Sequence, residues 1–189
     1  IPQGEECNAS TIVIPHGTEV TSTVQTILTG LGIIEISVNA MPRVLVLTSG
    51  HEVIEPGESL TPGKIYNSNR AMICGLLEDL GFHKIIHYHV SDAPEELDSE
   101  INHVLKLSEE ADVIISSGGV SVGLFDTMPL IYEKLGAESI YARIQMRPGA
   151  ASYGAVTPKG QIIFGLSGNP GAAFNGWHLI VAPTLKRYK

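Results

Sequence analysis

The chain has 189 residues, about the length of one domain, and its 43% hydrophobic content is ordinary for a globular core. The formal net charge of −8 argues against a nucleic-acid surface, which needs a basic face, and no apolar run approaches the ~20 residues of a membrane helix. Cys7 and Cys74 are isolated and lack metal-binding spacing, so we expect free thiols in a reducing cytoplasm.

The first residues differ from the rest of the chain, because glycines interrupt a series of short segments there. Residues 24–28 are compatible with one or two helical turns, which Gly30 would end as a C-cap. We interpret residues 1–40 as a partial preceding domain or a connector, and residues 41–189 as the main domain.

Strand and helix patterns alternate regularly in the main domain. The run of apolar residues at 44–47 predicts a short buried strand. Asn67 or Ser68 then caps a helix with apolar residues at three- and four-residue spacing, which Gly81 ends. Residues 85–90 predict a second strand.

The next helix is predicted to begin at Asp92. This residue is a good N-cap, Pro94 suits the first turn, and Glu95 completes a capping box. The helix gives way to an apolar run at 113–115, which predicts a strand that is buried on both faces.

The last third of the chain continues the alternation. It predicts a helix at 126–135, a strand at 140–146, a hairpin-like pair of strands at 151–156 and 161–166, and a final helix at 170–187. Such an order of elements predicts an α/β fold with a mainly parallel sheet covered on both faces.

The strand at 113–115 ends abruptly in Ser-Ser-Gly-Gly-Val-Ser-Val-Gly at residues 116–123. The glycines allow a sharp turn that brings backbone N–H groups close to a ligand, and Ser117 and Ser121 add hydroxyl donors. Asp126 follows where the next helix should begin. Open α/β sheets bind anionic ligands at such loops, so the sequence predicts a small-molecule site here.

Three loops follow the carboxyl ends of predicted strands, at residues 48–52, 116–126 and 166–170. Because the carboxyl ends of parallel strands share one edge of a sheet, we expect these loops to converge. Arg147 can supply a fixed positive charge. Backbone donors, hydroxyls and carboxylates together suit a phosphate ligand held through a divalent cation, since hard cations prefer oxygen ligands. The carboxylates of this set are Glu52, Asp92 and Asp126.

Each charged residue of this set also has an ordinary structural interpretation. Asp92 and Asp126 fit as helix caps, Glu52 fits as a solvated loop residue, and Arg147 fits as the partner of a surface carboxylate. The convergence of the loops, and not any single residue, therefore carries the prediction of a site.

Two other kinds of site fit the sequence less well. Residues 119–123 match the G-x-S-x-G motif of serine hydrolases, but Asp126 follows too closely and the only downstream histidine, His178, lies in the predicted last helix. His87 and His89 share one face of a strand, but no adjacent cysteine or carboxylate completes a zinc site.

Several motifs occur in the order known from one protein family. They are Pro-Arg-Val and Ser-Gly-His-Glu within 42–52, Gly-Lys-Ile-Tyr-Asn-Ser-Asn at 63–69, Val-Ser-Asp-Ala-Pro at 90–94, the segment 117–126, Met-Arg-Pro-Gly at 146–149 and Gly-Leu-Ser-Gly-Asn-Pro at 165–170. On these motifs the chain resembles the MoeA proteins, the molybdopterin molybdotransferases, whose eukaryotic relative is the E domain of gephyrin. The resemblance spans residues 42–175, which correspond to the central, MogA-like domain of the family.

This resemblance implies a three-layer α/β/α fold and a role in molybdenum cofactor biosynthesis. Family members take adenylylated molybdopterin, hydrolyse the adenylate in a Mg²⁺-dependent step and insert molybdate into the dithiolene. They form elongated dimers, so a homodimer is expected for the full-length protein.

The resemblance also implies the residues of the site. Glu52, Asp92 and Asp126 occupy the acidic positions, which are expected to be catalytic and to bind the metal. The residues expected to bind the cofactor precursor are Ser49, Gly50, Ser117, Gly118, Gly119, Ser121, Val122, Gly123, Arg147, Ser167, Gly168, Asn169 and Pro170.

The chain departs from the family pattern in three motifs. The family's Gly-Asp-Glu is Gly-His-Glu at 50–52, so that His51 replaces the Asp. Its Lys-Pro-Gly-Lys-Pro is Arg-Pro-Gly-Ala-Ala at 147–151, so that Ala150 replaces a Lys. Its Pro-Gly-Asn-Pro is Ser-Gly-Asn-Pro at 167–170, and the Ser that often follows is Ala172. The lost Lys and Ser belong to the region expected to hold molybdate. Loss of one charge-assisted contact, about 1.5–3 kcal/mol, weakens oxyanion binding roughly tenfold to over a hundredfold.

Two alternatives to a molybdotransferase follow from these features. One is a non-catalytic homologue that binds molybdopterin or a nucleotide and serves as a sensor or scaffold. The other is a molybdopterin adenylyltransferase, which shares the fold, although the Ser-Gly-Asn-Pro sequence at 167–170 and the segment 1–40 favour the molybdotransferase.

Overall fold

The computed structural model describes residues 2–5, 7–119 and 127–188. The chain divides into two compact units, Ile1–Asn39 and Ala40–Lys189. Within the described residues, the second unit contains every strand and every helix except the first.

The first unit contains one helix, α1, which covers Ser22–Gly30. It begins where the Thr21 hydroxyl accepts a hydrogen bond from the Val24 amide at 3.4 Å. The helical turns predicted at residues 24–28 are confirmed. Gly30 is the last residue of the helix itself, and the glycine with a left-handed φ of 75° is Gly32, two residues further on.

Strands and helices alternate in the second unit. The strands are β1 (Val44–Ser49), β2 (Val53–Ile54), β3 (Ile65–Tyr66), β4 (Ile85–Val90), β5 (Val113–Ser117), β6 (Glu138–Tyr141), β7 (Tyr153–Val156) and β8 (Ile162–Leu166). The helices are α2 (Ser68–Asp79), α3 (Leu97–Ser108), α4 (Thr127–Lys134), α5 (Pro170–Gly176) and α6 (Ala182–Tyr188), with a π-helical segment, Trp177–Val181, between the last two.

Six of the strands form one sheet in the order β4-β1-β5-β8-β7-β6. The first four are parallel, β7 is antiparallel to β8, and β6 is antiparallel to β7. The register pairs Thr48 with Ser117, and Ser117 with Leu166. The central strands β1, β5 and β8 therefore end level with one another, and the loops that follow them leave from the same edge.

Helices cover both faces of this sheet. Val44 and Val46 of β1 face α2, α5 and the π-helical segment, whereas Leu45 and Leu47 face α3 and α4. This alternation explains why residues 44–47 of β1 are all apolar, since a strand buried on both faces has no solvent-facing position. The predicted three-layer α/β/α fold is confirmed. The largest fully buried helical side chains are Ile73, Leu77 and Trp177 in one layer, and Met128 and Ile131 in the other.

The predicted helix start at Asp92 is wrong. Helix α3 begins at Leu97, and its cap residue, Glu96, makes no side-chain cap hydrogen bond. The intervening residues form a turn in which the Glu96 amide donates to the Ala93 carbonyl at 3.0 Å. Asp92 accepts a hydrogen bond from the Thr127 hydroxyl at 3.1 Å, so a tertiary contact replaces the expected cap.

The strand predicted at residues 140–146 is also largely wrong, because β6 ends at Tyr141. Among the described residues, β6 lies at the edge of the sheet and pairs only with β7, with a register shift between Ser139 and Tyr141. Beyond that point the chain leaves the sheet, and the Ile144 amide donates to the Ala150 carbonyl instead of to a strand.

The other main elements are found close to their predicted bounds, but the final helix predicted at 170–187 contains the π-helical segment, and residue 126 of the helix predicted at 126–135 lies outside the described residues. β7 and β8 form the predicted antiparallel pair, and the Asn67 side chain caps α2 by accepting from the Arg70 amide at 3.1 Å. The two-residue strands β2 and β3, which pair in parallel, were not expected from the sequence.

Candidate functional site

A cavity of about 380 Å³ opens where β1, β5 and β8 end. It is lined by parts of all three predicted loops, which confirms that they converge, and also by the segment from β3 into α2. The lining residues are those of 48–53 and 65–69, Asp92, Ser117, Gly118, Gly119, Ala151, Ser167, Gly168 and Pro170.

Glycines bring two of these loops unusually close together. Gly118 has a φ of 86°, and a Cβ atom at this position would lie 2.4 Å from the carbonyl oxygen of Ser49. A Cβ atom on Gly119 would lie 2.7 Å from the Ser49 hydroxyl oxygen. Only glycine fits this approach, which brings the backbone of Gly118 and Gly119 to the wall of the cavity.

The third loop lies against the second. A Cβ atom on Gly168 would be 3.5 Å from the Cα atom of Gly118, and the Gly118 amide donates to the Leu166 carbonyl at 3.3 Å. The Ser117 hydroxyl donates to the Ser167 carbonyl at 3.1 Å. Side-chain and backbone contacts therefore join the two loops on this side of the cavity.

Two carboxylates line the cavity within the described residues. Asp92 accepts from the Thr127 hydroxyl, and Glu52 lies 3.6 Å from His51, between Oε2 and Nδ1. The side chain of His51 is 89% exposed and that of Glu52 is 44% exposed, so this pair lies at the mouth of the cavity.

The third carboxylate of the predicted set, Asp126, lies outside the described residues, as do Ser121, Val122 and Gly123. Within the described part of the chain, no three His, Cys, Asp or Glu side chains form a group that could hold a metal ion. Of the three predicted carboxylates, the described lining residues thus include two, Glu52 and Asp92.

Three other residues considered from the sequence, Arg147, Asn169 and His178, are not among those that line the cavity. Arg147 is exposed. Asn169 caps α5, because its Oδ1 atom accepts from the Ala172 amide at 3.1 Å. His178, the candidate partner in a hydrolase, packs its ring against Phe174, with 4.3 Å between the ring centroids.

A buried hydrogen-bond network borders the cavity and was not predicted. The Thr48 hydroxyl accepts from Asn67 Nδ2 at 2.9 Å and lies 3.2 Å from His87 Nε2 and 3.1 Å from His89 Nδ1. A hydroxyl has one hydrogen, so it donates to one imidazole and accepts from the other. The two histidines predicted to share a strand face therefore contact one threonine.

The same network continues to an ion pair. Asn67 donates to Glu55 at 2.8 Å, and Arg70 donates to the other oxygen of Glu55 at 2.6 Å. Burial raises the pKa of the Glu55 carboxyl, but the hydrogen bonds from Asn67 and Arg70 outweigh burial, and the pKa lies below its usual value.

Burial lowers the pKa of His87 from 6.5 to about 4, and the neighbouring Arg70 guanidinium acts in the same direction. Between about pH 6.5 and about pH 4, the His87 side chain is therefore neutral in the folded protein but protonated in the unfolded chain. Since the unfolded state binds more protons there, the free energy of unfolding decreases as the pH falls from about 6.5 to about 4.

The fold and this cavity define a three-layer α/β ligand-binding domain. Residues 45–187 match the family described as a probable molybdopterin binding domain, and the chain belongs to this family. Relatives named molybdopterin molybdenumtransferase confirm the relationship to the MoeA proteins that the motifs predict.

The chain is 38% identical to the molybdopterin molybdenumtransferase of Staphylococcus aureus over 184 residues, which cover 97% of this chain and 43% of the relative. It is 37% identical to the Staphylococcus epidermidis protein of the same name, over 98% of this chain and 43% of the relative. The chain thus spans less than half the length of these curated relatives.

Solved structures show the same relationship. The molybdopterin biosynthesis MoeA protein of Pyrococcus horikoshii superimposes with a TM-score of 0.70 at 31% identity, over 87% of this chain and 40% of that chain. The molybdopterin biosynthesis Mog protein of Mycobacterium ulcerans shares the fold, with a TM-score of 0.56 at 18% identity over 78% of this chain and 99% of that chain. In the described residues, no helix is both long and apolar enough to cross a bilayer.

Proposed function

We propose that this chain is part of a molybdopterin molybdotransferase and that its cavity binds adenylylated molybdopterin before molybdate is inserted. The observation that supports this proposal is the convergence of the three loops on one cavity. The volume of about 380 Å³ lies within the range of small-molecule sites and suits one half of the ligand, either the pterin or the nucleotide.

Backbone amides and hydroxyls are the groups we assign to the phosphates. Gly118 and Gly119 bring the backbone close to the cavity, and Ser49 is 95% buried with no hydrogen-bond partner for its hydroxyl among the described residues. A buried hydroxyl without a partner is costly, and a phosphate oxygen would satisfy it. The Ser167 hydroxyl, which accepts from the Asn169 amide and keeps its own hydrogen, lines the same cavity.

We propose that Mg²⁺ binds at this site through Glu52 and Asp92, together with Asp126. The donor set fits, because the described lining residues include these two carboxylates, several hydroxyls and no Lys or Arg. A phosphate entering such a cavity needs a positive charge, and a hard cation with oxygen ligands supplies it. When bound, Mg²⁺ would neutralise phosphate charge and polarise the phosphorus–oxygen bond that is hydrolysed.

The test is a calorimetric titration of AMP with and without Mg²⁺, followed by measurement of AMP release from adenylylated molybdopterin. In Asp92→Asn, the remaining side-chain oxygen still accepts from Thr127, but we expect Mg²⁺-dependent affinity to fall roughly tenfold to a hundredfold. Asp98→Asn, at an exposed position on α3, is the matched control and should bind as the unmutated chain does. Equal affinity of Asp92→Asn and the control would refute the assignment of Asp92.

A second candidate is the non-catalytic homologue that binds the pterin without turnover. The observation that favours it is the absence of Lys and Arg from the described lining residues, with Arg147 exposed elsewhere and Ala150 in place of the family's Lys. Tight binding of adenylylated molybdopterin, no AMP release and no effect of molybdate would establish this alternative.

We propose further that residues 41–189 form the molybdopterin-binding domain and residues 1–40 part of a preceding domain or a connector. The free state of Cys7 and Cys74 is compatible with the cytoplasm, where we place the protein. We propose the homodimer of the family for the full-length protein, which light scattering of that protein would test.

A further inference from the structure

Asn69 connects the loop at Gly118 to the loop at Gly168 and was not among the predicted site residues. It lies in the first turn of α2 and lines the cavity. Its Nδ2 atom donates to the Ser117 hydroxyl at 2.8 Å and to the Gly168 carbonyl at 2.8 Å. One side chain from the helical layer therefore joins the ends of β5 and β8.

These contacts fix the orientation of the Asn69 amide. The Gly168 carbonyl can only accept, so the Asn69 atom that faces it must be the nitrogen. The Ser117 hydroxyl donates its one hydrogen to the Ser167 carbonyl and therefore accepts from Asn69. Both hydrogens of the Asn69 amide are used, and its oxygen points away from these partners.

That oxygen, Oδ1, is buried and has no hydrogen-bond partner in the part of the chain that the structure describes. A buried amide oxygen without a donor costs free energy that a bound group can recover. Because Asn69 lines the cavity and its amide cannot rotate without losing two hydrogen bonds, Oδ1 is a fixed acceptor. Such an acceptor would be satisfied by an N–H or O–H group of a ligand and would repel an anionic oxygen.

We propose that Asn69 is both a positioning residue, which holds the loops at Gly118 and Gly168 together through Nδ2, and a specificity-determining residue, which accepts a hydrogen bond from the ligand through Oδ1. The ligand identity rests on the proposed function. Adenylylated molybdopterin offers this donor from two sources, the N–H groups of the pterin and the hydroxyls of the ribose.

The positioning role is tested by amide hydrogen exchange of the ligand-free protein. In Asn69→Ala, we expect the Gly118 and Asn169 amides, which donate to Leu166 and the Ser167 hydroxyl, to exchange about tenfold faster. The Gly160 amide, in the turn before β8, is an internal reference whose exchange should not change.

The substitution is chosen so that the helix itself is not weakened, because alanine has a higher helix propensity than asparagine. Asn102→Ala is the matched control, since Asn102 is an exposed residue of α3 in the opposite layer. Unfolding temperatures of both variants verify that they are folded. Unchanged exchange at Gly118 and Asn169 in folded Asn69→Ala would overturn the positioning role.

The specificity role is tested by titrating AMP and 6-hydroxymethylpterin separately into the two variants and into Ser117→Ala. Asn69→Ala should lower the affinity for one of the two probes about tenfold to a hundredfold, and that probe carries the donor group. Ser117→Ala keeps the Asn69 oxygen, so it should lower the affinity for the same probe less, while it also accelerates amide exchange at Gly118.

Equal affinity of Asn69→Ala and Asn102→Ala for the probe that the unmutated chain binds would overturn the specificity role. If the unmutated chain binds neither probe, the proposed function fails and the specificity role fails with it. The exchange measurement, made without ligand, decides the positioning role separately in either case.

Discussion

Substitution of Gly118 by alanine should separate the ends of β1 and β5. The new Cβ atom would lie 2.4 Å from the Ser49 carbonyl oxygen, against the 3.4 Å at which ordinary van der Waals contact begins, so one loop must retreat by about 1 Å. Ser49 is the last residue of β1 and its neighbour Thr48 pairs with Ser117, so neither backbone can move without weakening the ladder.

The expected loss of unfolding free energy has two parts. A left-handed φ costs alanine about 1–2 kcal/mol relative to glycine. Weakening two or three backbone hydrogen bonds near the clash adds about 2–3 kcal/mol. We therefore expect Gly118→Ala to lose about 3–5 kcal/mol in total.

Gly160→Ala is the matched control for backbone strain. Gly160 has a φ of 82°, close to the 86° of Gly118, but a Cβ atom there meets nothing within 4 Å. This variant should lose only the strain part, about 1–2 kcal/mol. Urea unfolding of both variants, followed by circular dichroism, measures the difference, and a difference below about 0.5 kcal/mol would refute the proposed close approach of the loops.

Two further predictions concern stability. Between pH 7 and pH 4.5, His87 should lower the free energy of unfolding of the unmutated chain by about 1–2 kcal/mol, a figure reduced for the partial exposure of the side chain. In urea titrations over the same pH range, the free energy of unfolding of His87→Gln should therefore fall by about 1–2 kcal/mol less. Identical losses in both proteins would contradict the assigned pKa. Gln161→Leu should cost about 2–4 kcal/mol, because Gln161 is buried and donates to the Ser108 and Ala111 carbonyls at 2.6 and 2.7 Å. A loss below 0.5 kcal/mol in thermal unfolding would show that water replaces these bonds.

The main strands could be predicted because burial on both faces leaves a simple pattern. β1 begins with four consecutive apolar residues, at 44–47, and β5 with three, at 113–115, as a strand between two helical layers requires. Asn67 could be predicted as a cap because its partner, the Arg70 amide, is three residues away. The level ends of parallel strands then made the place of the cavity predictable.

The details that escaped prediction depend on contacts between distant residues. Asp92 has the local pattern of a cap, but its observed partner is Thr127, 35 residues further on. Asn69 reaches Gly168 across 99 residues, and such a hydrogen bond leaves no periodic signal. Two-residue strands such as β2 and β3 are too short to show any period at all.

The reversed direction of β7 has a consequence for how this cavity can vary. Because β7 runs against β8, its first residue, Tyr153, lies opposite Gly165 at the cavity edge, and the chain enters that edge through residues 142–152. This connection is anchored at each end by an outer strand and supplies Ala151 to the wall. Insertions or deletions within it can remodel one wall for a different ligand while the four parallel strands keep their register.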